Sequence, residues 1–148
     1  MLPDQIAKKI RKTLLDQKGR LEDYLYLLEK EEEDIINKDP DKLIAHINLE
    51  KNILTELTLL KKVINPLEFV YYNSPYKKDN SVLELKNSIN KLSDQIQQKT
   101  YKNQKELKVA IEKVKAELKG IRKKGIVNSS YDKVDSRLVD VCGWKKSF

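Results

Sequence analysis

Leu14, Leu21, Leu28 and Ile35 stand seven residues apart. An apolar repeat of seven keeps its seam on one side only when the chain is helical and lies along another helix. Ile6 and Ile10 continue the same stripe toward the N-terminus, and Leu15, Leu25 and Ile36 widen it. Gly19 weakens such a helix by about 1 kcal/mol relative to Ala, but no second breaker lies near it. One helix is therefore expected over about 4–37, its far face charged and carrying the acidic run Glu31, Glu32, Glu33 and Asp34.

Asn37-Lys38-Asp39-Pro40-Asp41 is the clearest boundary. Asp39 suits a helix cap, Pro40 the first helical position, and Asp41 the positive helix end. A second helix should carry Leu43, Ile47, Ile53, Leu54, Leu57, Leu60 and Ile64 over about 40–64 and stop before Pro66. So short a connection sets the two helices antiparallel as a hairpin. Residues 65–80 read as a connector, in which Phe69, Val70, Tyr71, Tyr72 and Tyr76 supply apolar area for one end of the bundle or for a binding surface.

Val82, Leu85, Ile89, Leu92 and Ile96 begin a third stripe, which resumes at Leu107, Ala110, Val114, Leu118 and Ile121 beyond a polar middle. One helix over about 81–119, ending at Gly120, would span about 58 Å at 1.5 Å per residue. It outruns the hairpin, so part of its seam should lack a partner from its own chain. A domain over 1–120 is thus followed by a loosely ordered stretch, 121–148, too apolar for a passive tail: Ile126, Val127, Tyr131, Leu138, Val139, Val141, Trp144 and Phe148 lie within it. Such segments order against a partner or a neighbouring chain.

Composition closes off other classes. Only 4 Gly and 4 Pro occur in 148 residues, too few for a strand-and-turn fold or for Gly-rich ligand loops, and 36% of the chain is charged. With one Cys (Cys142) and one His (His46) there is no intramolecular disulfide and no Cys/His metal cluster within one chain. No catalytic triad is legible either. His46 stands four before Glu50, a surface pairing, and the acids Glu31 and Asp34 belong to a charge run whose default is exposure. No catalytic residue, metal or cofactor is expected.

The first residues show no secretory pattern and no run approaches the roughly 20 apolar residues of a membrane span, so a cytoplasmic protein without membrane insertion is expected. Net charge is +7, and Lys99 to Lys124 holds ten basic residues against three acidic ones. That stretch offers phosphate contacts but few arginine forks and one aromatic, Tyr101, for stacking. A solvated face that also meets the acidic run of the first helix is the ordinary reading of this stretch, and nucleic-acid binding through it ranks third among the functions considered.

Tyr24 to Lys62 resembles the FlgN-type flagellar export chaperones. The residues that carry the likeness are Leu27, Leu28, Glu31, Ile35 and Ile36 at the end of one helix, Asp39 in the turn, and Leu43, Ile44, Glu50, Lys51, Leu54 and Leu57 on the next. Ser130-Tyr131-Asp132 resembles the family's tail tyrosine, without the glycine that often comes after it. The resemblance implies a cytoplasmic chaperone that binds C-terminal helices of hook-associated proteins, keeps them unpolymerised and presents them to the flagellar export gate. It places the client on Leu107, Ile111, Val114, Leu118 and Ile121, and the export-gate contact on Tyr131.

The expectation is an all-α protein, an antiparallel coiled-coil-like hairpin with a long third helix, existing as a monomer or weak homodimer. Its exposed seam has the spacing by which amphipathic helices recognise one another. The same seam could instead close on the apolar tail or on a second copy, and a structural coiled-coil scaffold is the alternative function.

Overall fold

The computed structural model describes residues 3–75 and 79–121. They form three helices, α1 (Pro3–Ile36), α2 (Pro40–Tyr72) and α3 (Asn80–Ile121), and no strand occurs among them. The all-α expectation holds.

α1 is the shared wall of the bundle. Arg20 pairs with Glu56 at 2.7 Å and Tyr24 meets Glu50, so α1 and α2 run antiparallel. Arg11 pairs with Asp79 at 3.0 Å, Leu28 accepts from Asn103 and Glu32 pairs with Lys99, so α1 and α3 run parallel. The α2 and α3 backbones stay apart, each packing along α1. They are joined by side chains, with Lys86 of α3 on Glu68 of α2.

The core lies along the expected stripes. Ile6, Ile10, Leu14, Leu21, Leu28 and Ile35 are all buried, against Leu43, Ile47, Leu54, Leu57 and Ile64 of α2 and Val82, Ile89 and Ile96 of α3. Leu15 and Ile36, expected to widen the α1 stripe, are 55% and 67% exposed. The polar middle of α3 is not an interruption. Thr100 and Asn103 are buried in the seam, and Asn103 donates from Nδ2 to the Leu28 carbonyl at 2.8 Å. A buried amide among aliphatic layers fixes the register of two helices at some cost in stability.

The first turn forms as expected. Asp39 caps α2, accepting from the Lys42 amide at 3.1 Å with Pro40 at the first position. α1 ends with the Asp39 amide on the Asp34 carbonyl and the Lys38 amide on that of Ile35, the bonding of a Schellman motif. Its left-handed position, φ 55°, is filled by Lys38. A non-glycine residue there is strained by roughly 1–2 kcal/mol. Lys38→Gly should therefore raise the urea midpoint, a net gain of about 1 kcal/mol once the extra freedom of unfolded Gly is subtracted.

The second boundary differs from expectation. α2 does not stop before Pro66 but continues to Tyr72, with Pro66 inside it. Proline removes one helical N–H and leaves the carbonyl four residues back without its donor. Here Lys62 and Pro66 both face solvent, where water reaches that carbonyl, while Ile64 and Tyr71 on either side are buried and hold the segment against the bundle. The connector shrinks to 73–79. Of its expected aromatics among the described residues only Tyr71 is buried, accepting at its hydroxyl from the Asp79 amide. Phe69 and Tyr72 are exposed, and Tyr76 lies outside the described residues. α3 likewise runs through Gly120 to Ile121.

Candidate helix-binding site

α1 stops at Ile36, and Glu32, one turn earlier, is already opposite Lys99 and Lys102. α3 therefore runs on past the end of α1 by roughly 20 Å at 1.5 Å per residue. The overhang leaves a cleft of about 380 Å³ at this end of the bundle. One wall is Ile35 and Ile36 of α1 with Lys38 of the turn; the other is Lys105, Glu106, Val109, Ala110, Lys113, Val114 and Glu117 of α3. Its floor is aliphatic. Lys38, Lys105 and Lys113 stand at its rim, with Glu106 and Glu117 of opposite sign.

The expected client-binding residues divide here. Leu107 and Ile111 are not exposed: they are 1% and 7% accessible and belong to the bundle core. The reason is the parallel return of α3 along α1, which covers the row that a projecting helix would have left bare. Val114 packs partly against that core and also lines the cleft. Leu118 is half-buried and does not line it. Ile121 is the last residue of α3, and its side chain, like all of Tyr131 and the stretch 122–148, lies outside the described residues.

Two cleft residues are not legible from spacing. Val109, 51% exposed, sits off the expected stripe, and the position of Ile36 beside the heptad row suggests core instead. The signal that points to them is the mismatch in length: a helix that outlasts its neighbour turns its flank, not its seam, to solvent.

The electrostatics at the inner end of the cleft are largely internal. Lys99 and Lys102 both meet Glu32, and Lys102 also reaches Glu106 at 3.9 Å. The hydrogen bond from Lys99 holds the Glu32 carboxyl below the usual range. Lys105 lies over the Tyr101 ring, 4.5 Å from its centroid. The expected meeting of the basic stretch with the acidic run is thus present, through Glu32.

The rest of that acidic run is less solvated than its composition suggests. Glu31 and Asp34 are buried, and Asp34 takes His46 as its partner. His46 therefore does not pair along its own helix with Glu50, which is itself fully buried. The Glu50 carboxyl accepts from the Tyr24 hydroxyl and stands beside that of Glu31. Burial pushes it up to about 7, against the opposing influence of Glu31 and of Lys51.

Among the described residues no group of three or more His, Cys, Asp or Glu side chains could hold a metal ion, and no helix is long and apolar enough to cross a membrane. Compared with known proteins, the chain matches no family model, no curated protein and no solved structure.

Proposed function

We propose that this chain is a binding protein rather than an enzyme, a cytoplasmic export chaperone of the FlgN-like kind that Tyr24 to Lys62 resembles. Its clients would be the C-terminal helices of flagellar hook-associated proteins, held unpolymerised and passed to the export gate. The observation that supports this reading is the aliphatic cleft between the end of α1 and the overhang of α3. An amphipathic client helix laid there would set its apolar residues on Ile36, Val109, Ala110 and Val114 and its acids toward Lys38, Lys105 and Lys113. This moves the client from the row of Leu107 and Ile111 to its flank. Export-gate contact through Tyr131 remains part of the proposal.

Calorimetric titration with hook-associated C-terminal helices tests it. One-to-one binding is expected, and Val109→Ser with Ile36→Ser should weaken it by about 100-fold, since two partly buried aliphatic contacts contribute on the order of 1.5 kcal/mol each. Both positions are exposed enough for the variant to stay folded, which its circular dichroism would check. No binding by a folded sample would reject the chaperone reading.

A second reading, a self-associating coiled-coil scaffold, is favoured by one observation. Leu59, Val63, Pro66 and Val70 form an exposed row on the outer face of α2 beside Phe69, which is 72% exposed. Their spacing of four, three and four is symmetric about its own midpoint, as an antiparallel two-fold contact requires. A solution mass fixed at a multiple of 17.3 kDa without monomer would favour the scaffold.

A further inference from the structure

We infer that two copies of this chain pair reversibly through the outer face of α2, antiparallel about a two-fold axis level with the Ile64–Asn65 step. The contact takes up the row of Leu59, Val63, Pro66 and Val70, and so rests on the observation that favours the scaffold reading. α2 is apolar on two sides. Leu57, Ile64 and Tyr71 are buried toward the bundle, while Leu59, Val63 and Val70 on the other side are 57%, 45% and 48% exposed. A helix apolar on both sides belongs in an interior, and the described bundle covers one side only. The uncovered side is also nearly free of charge. Of the eight exposed residues from Leu59 to Tyr72 only Lys62 is charged, in a chain that is 36% charged overall. Such depletion marks the centre of a protein contact, where a solvated face would carry ions.

Register selects a second copy as the occupant. Laid antiparallel, it would set its Val70 against Leu59 and its Pro66 against Val63, and each pair would occur twice. The flanks match about the same axis. On one side Leu60 would meet Leu67 of the second copy; on the other Lys62 would lie over Phe69, a favourable place for an ammonium. Lys62 would stay at the rim, where water still reaches its carbonyl. A client helix or a lipid surface needs an apolar face, but not one whose central and flanking pairs share a single two-fold axis. The row with its flanks exposes roughly 500 Å² per copy, about 1,000 Å² for the pair, the low end of specific interfaces and the range of a reversible dimer. The rest of the bundle leaves room, since α3 packs along α1 with its backbone apart from α2. The row begins about 28 Å along α2 from Pro40, so the cleft at the end of α1 stays open. The pair would carry two such clefts, one at each end.

Sedimentation of the full chain across micromolar concentrations tests this pairing by charge exchange. The wild-type chain is expected to pass from the 17.3 kDa monomer to twice that mass and no further. Leu59→Glu alone, and Val70→Lys alone, should each weaken dimerisation by about tenfold or more, because each buries two unpaired charges. Leu59→Glu and Val70→Lys in one chain should recover most of the loss, since the antiparallel register sets each glutamate against a lysine of the second copy. Both positions are exposed, and circular dichroism checks that each variant is folded. A dimer indifferent to the single variants, or one that the combined variant does not recover, would overturn the pairing. So would a wild-type chain that stays monomeric, including one that binds phosphatidylcholine vesicles or a client helix through Leu59. A larger fixed assembly that survives the single variants would keep the scaffold reading and reject this seam. No client enters these measurements, so failure of the chaperone reading leaves the result standing, and the reverse.

Discussion

Tyr24→Ala will cost about 4 kcal/mol of folding stability, within the roughly 3–5 kcal/mol typical of removing a buried aromatic side chain. Tyr24 is fully buried on the α1–α2 face, and its hydroxyl donates to Glu50. Alanine would leave a cavity between α1 and α2 and also remove the hydrogen bond to a carboxyl that water does not reach. The two losses fall at one place and add to a large fraction of the roughly 5–15 kcal/mol by which a domain of this size is stable. Tyr24→Phe separates them. It keeps the ring and removes only the donor, so about 1–2 kcal/mol is expected. Urea unfolding monitored by circular dichroism measures both. A loss below about 1 kcal/mol for the alanine variant would mean that the ring is not part of the core.

This network also marks the limit of what is legible in the sequence. Ile10, Leu14, Leu28, Ile47 and Ile89 are readable as core because each belongs to an apolar row whose period is that of the helix. Glu31, Asp34 and Glu50 lie near the same rows but read as surface, since their chemistry favours exposure. They are buried because their partners come from another helix, Glu50 meeting Tyr24 and Asp34 meeting His46 across the hairpin. No local window contains both members of such a pair. Pro66 shows the same limit for the backbone: the local rule ends a helix there, and burial of Ile64 and Tyr71 overrides it. For the candidate site, the overhang of α3 is legible from helix lengths. The side on which it opens is not, because that depends on α3 returning parallel to α1, a geometry held by Arg11–Asp79 and Asn103–Leu28.

Raising the pH from 5 to 8 will destabilise the bundle, and Glu50 is the reason. Its carboxyl titrates at about 7 in the fold against an ordinary 4.5, because burial disfavours the charged form. Between those two values the folded chain holds a proton that the unfolded chain has released. Stability then falls as pH rises, the loss beginning above the unfolded value and complete once pH passes the folded one. A difference of this size corresponds to about 3 kcal/mol in all, of which about 2–3 kcal/mol is lost between pH 5 and 8. Starting at pH 5 keeps Glu32 and Asp79 ionised, since Lys99 and Ser81 respectively hold their carboxyls below the usual range. Those two groups act in the opposite sense, only in more acidic solution. Glu50→Gln isolates the contribution: its amide stays neutral throughout, its oxygen can still accept from Tyr24, and its nitrogen can donate to Glu31. Urea midpoints of the variant should vary much less between pH 5 and 8, and at pH 8 it should be the more stable protein by about 2 kcal/mol. Equal pH profiles for the two chains would show that the Glu50 carboxyl is ionised in the fold at neutral pH. The hairpin would then hold a buried carboxylate beside Glu31, stabilised by Tyr24 and Lys51 instead of by its own proton.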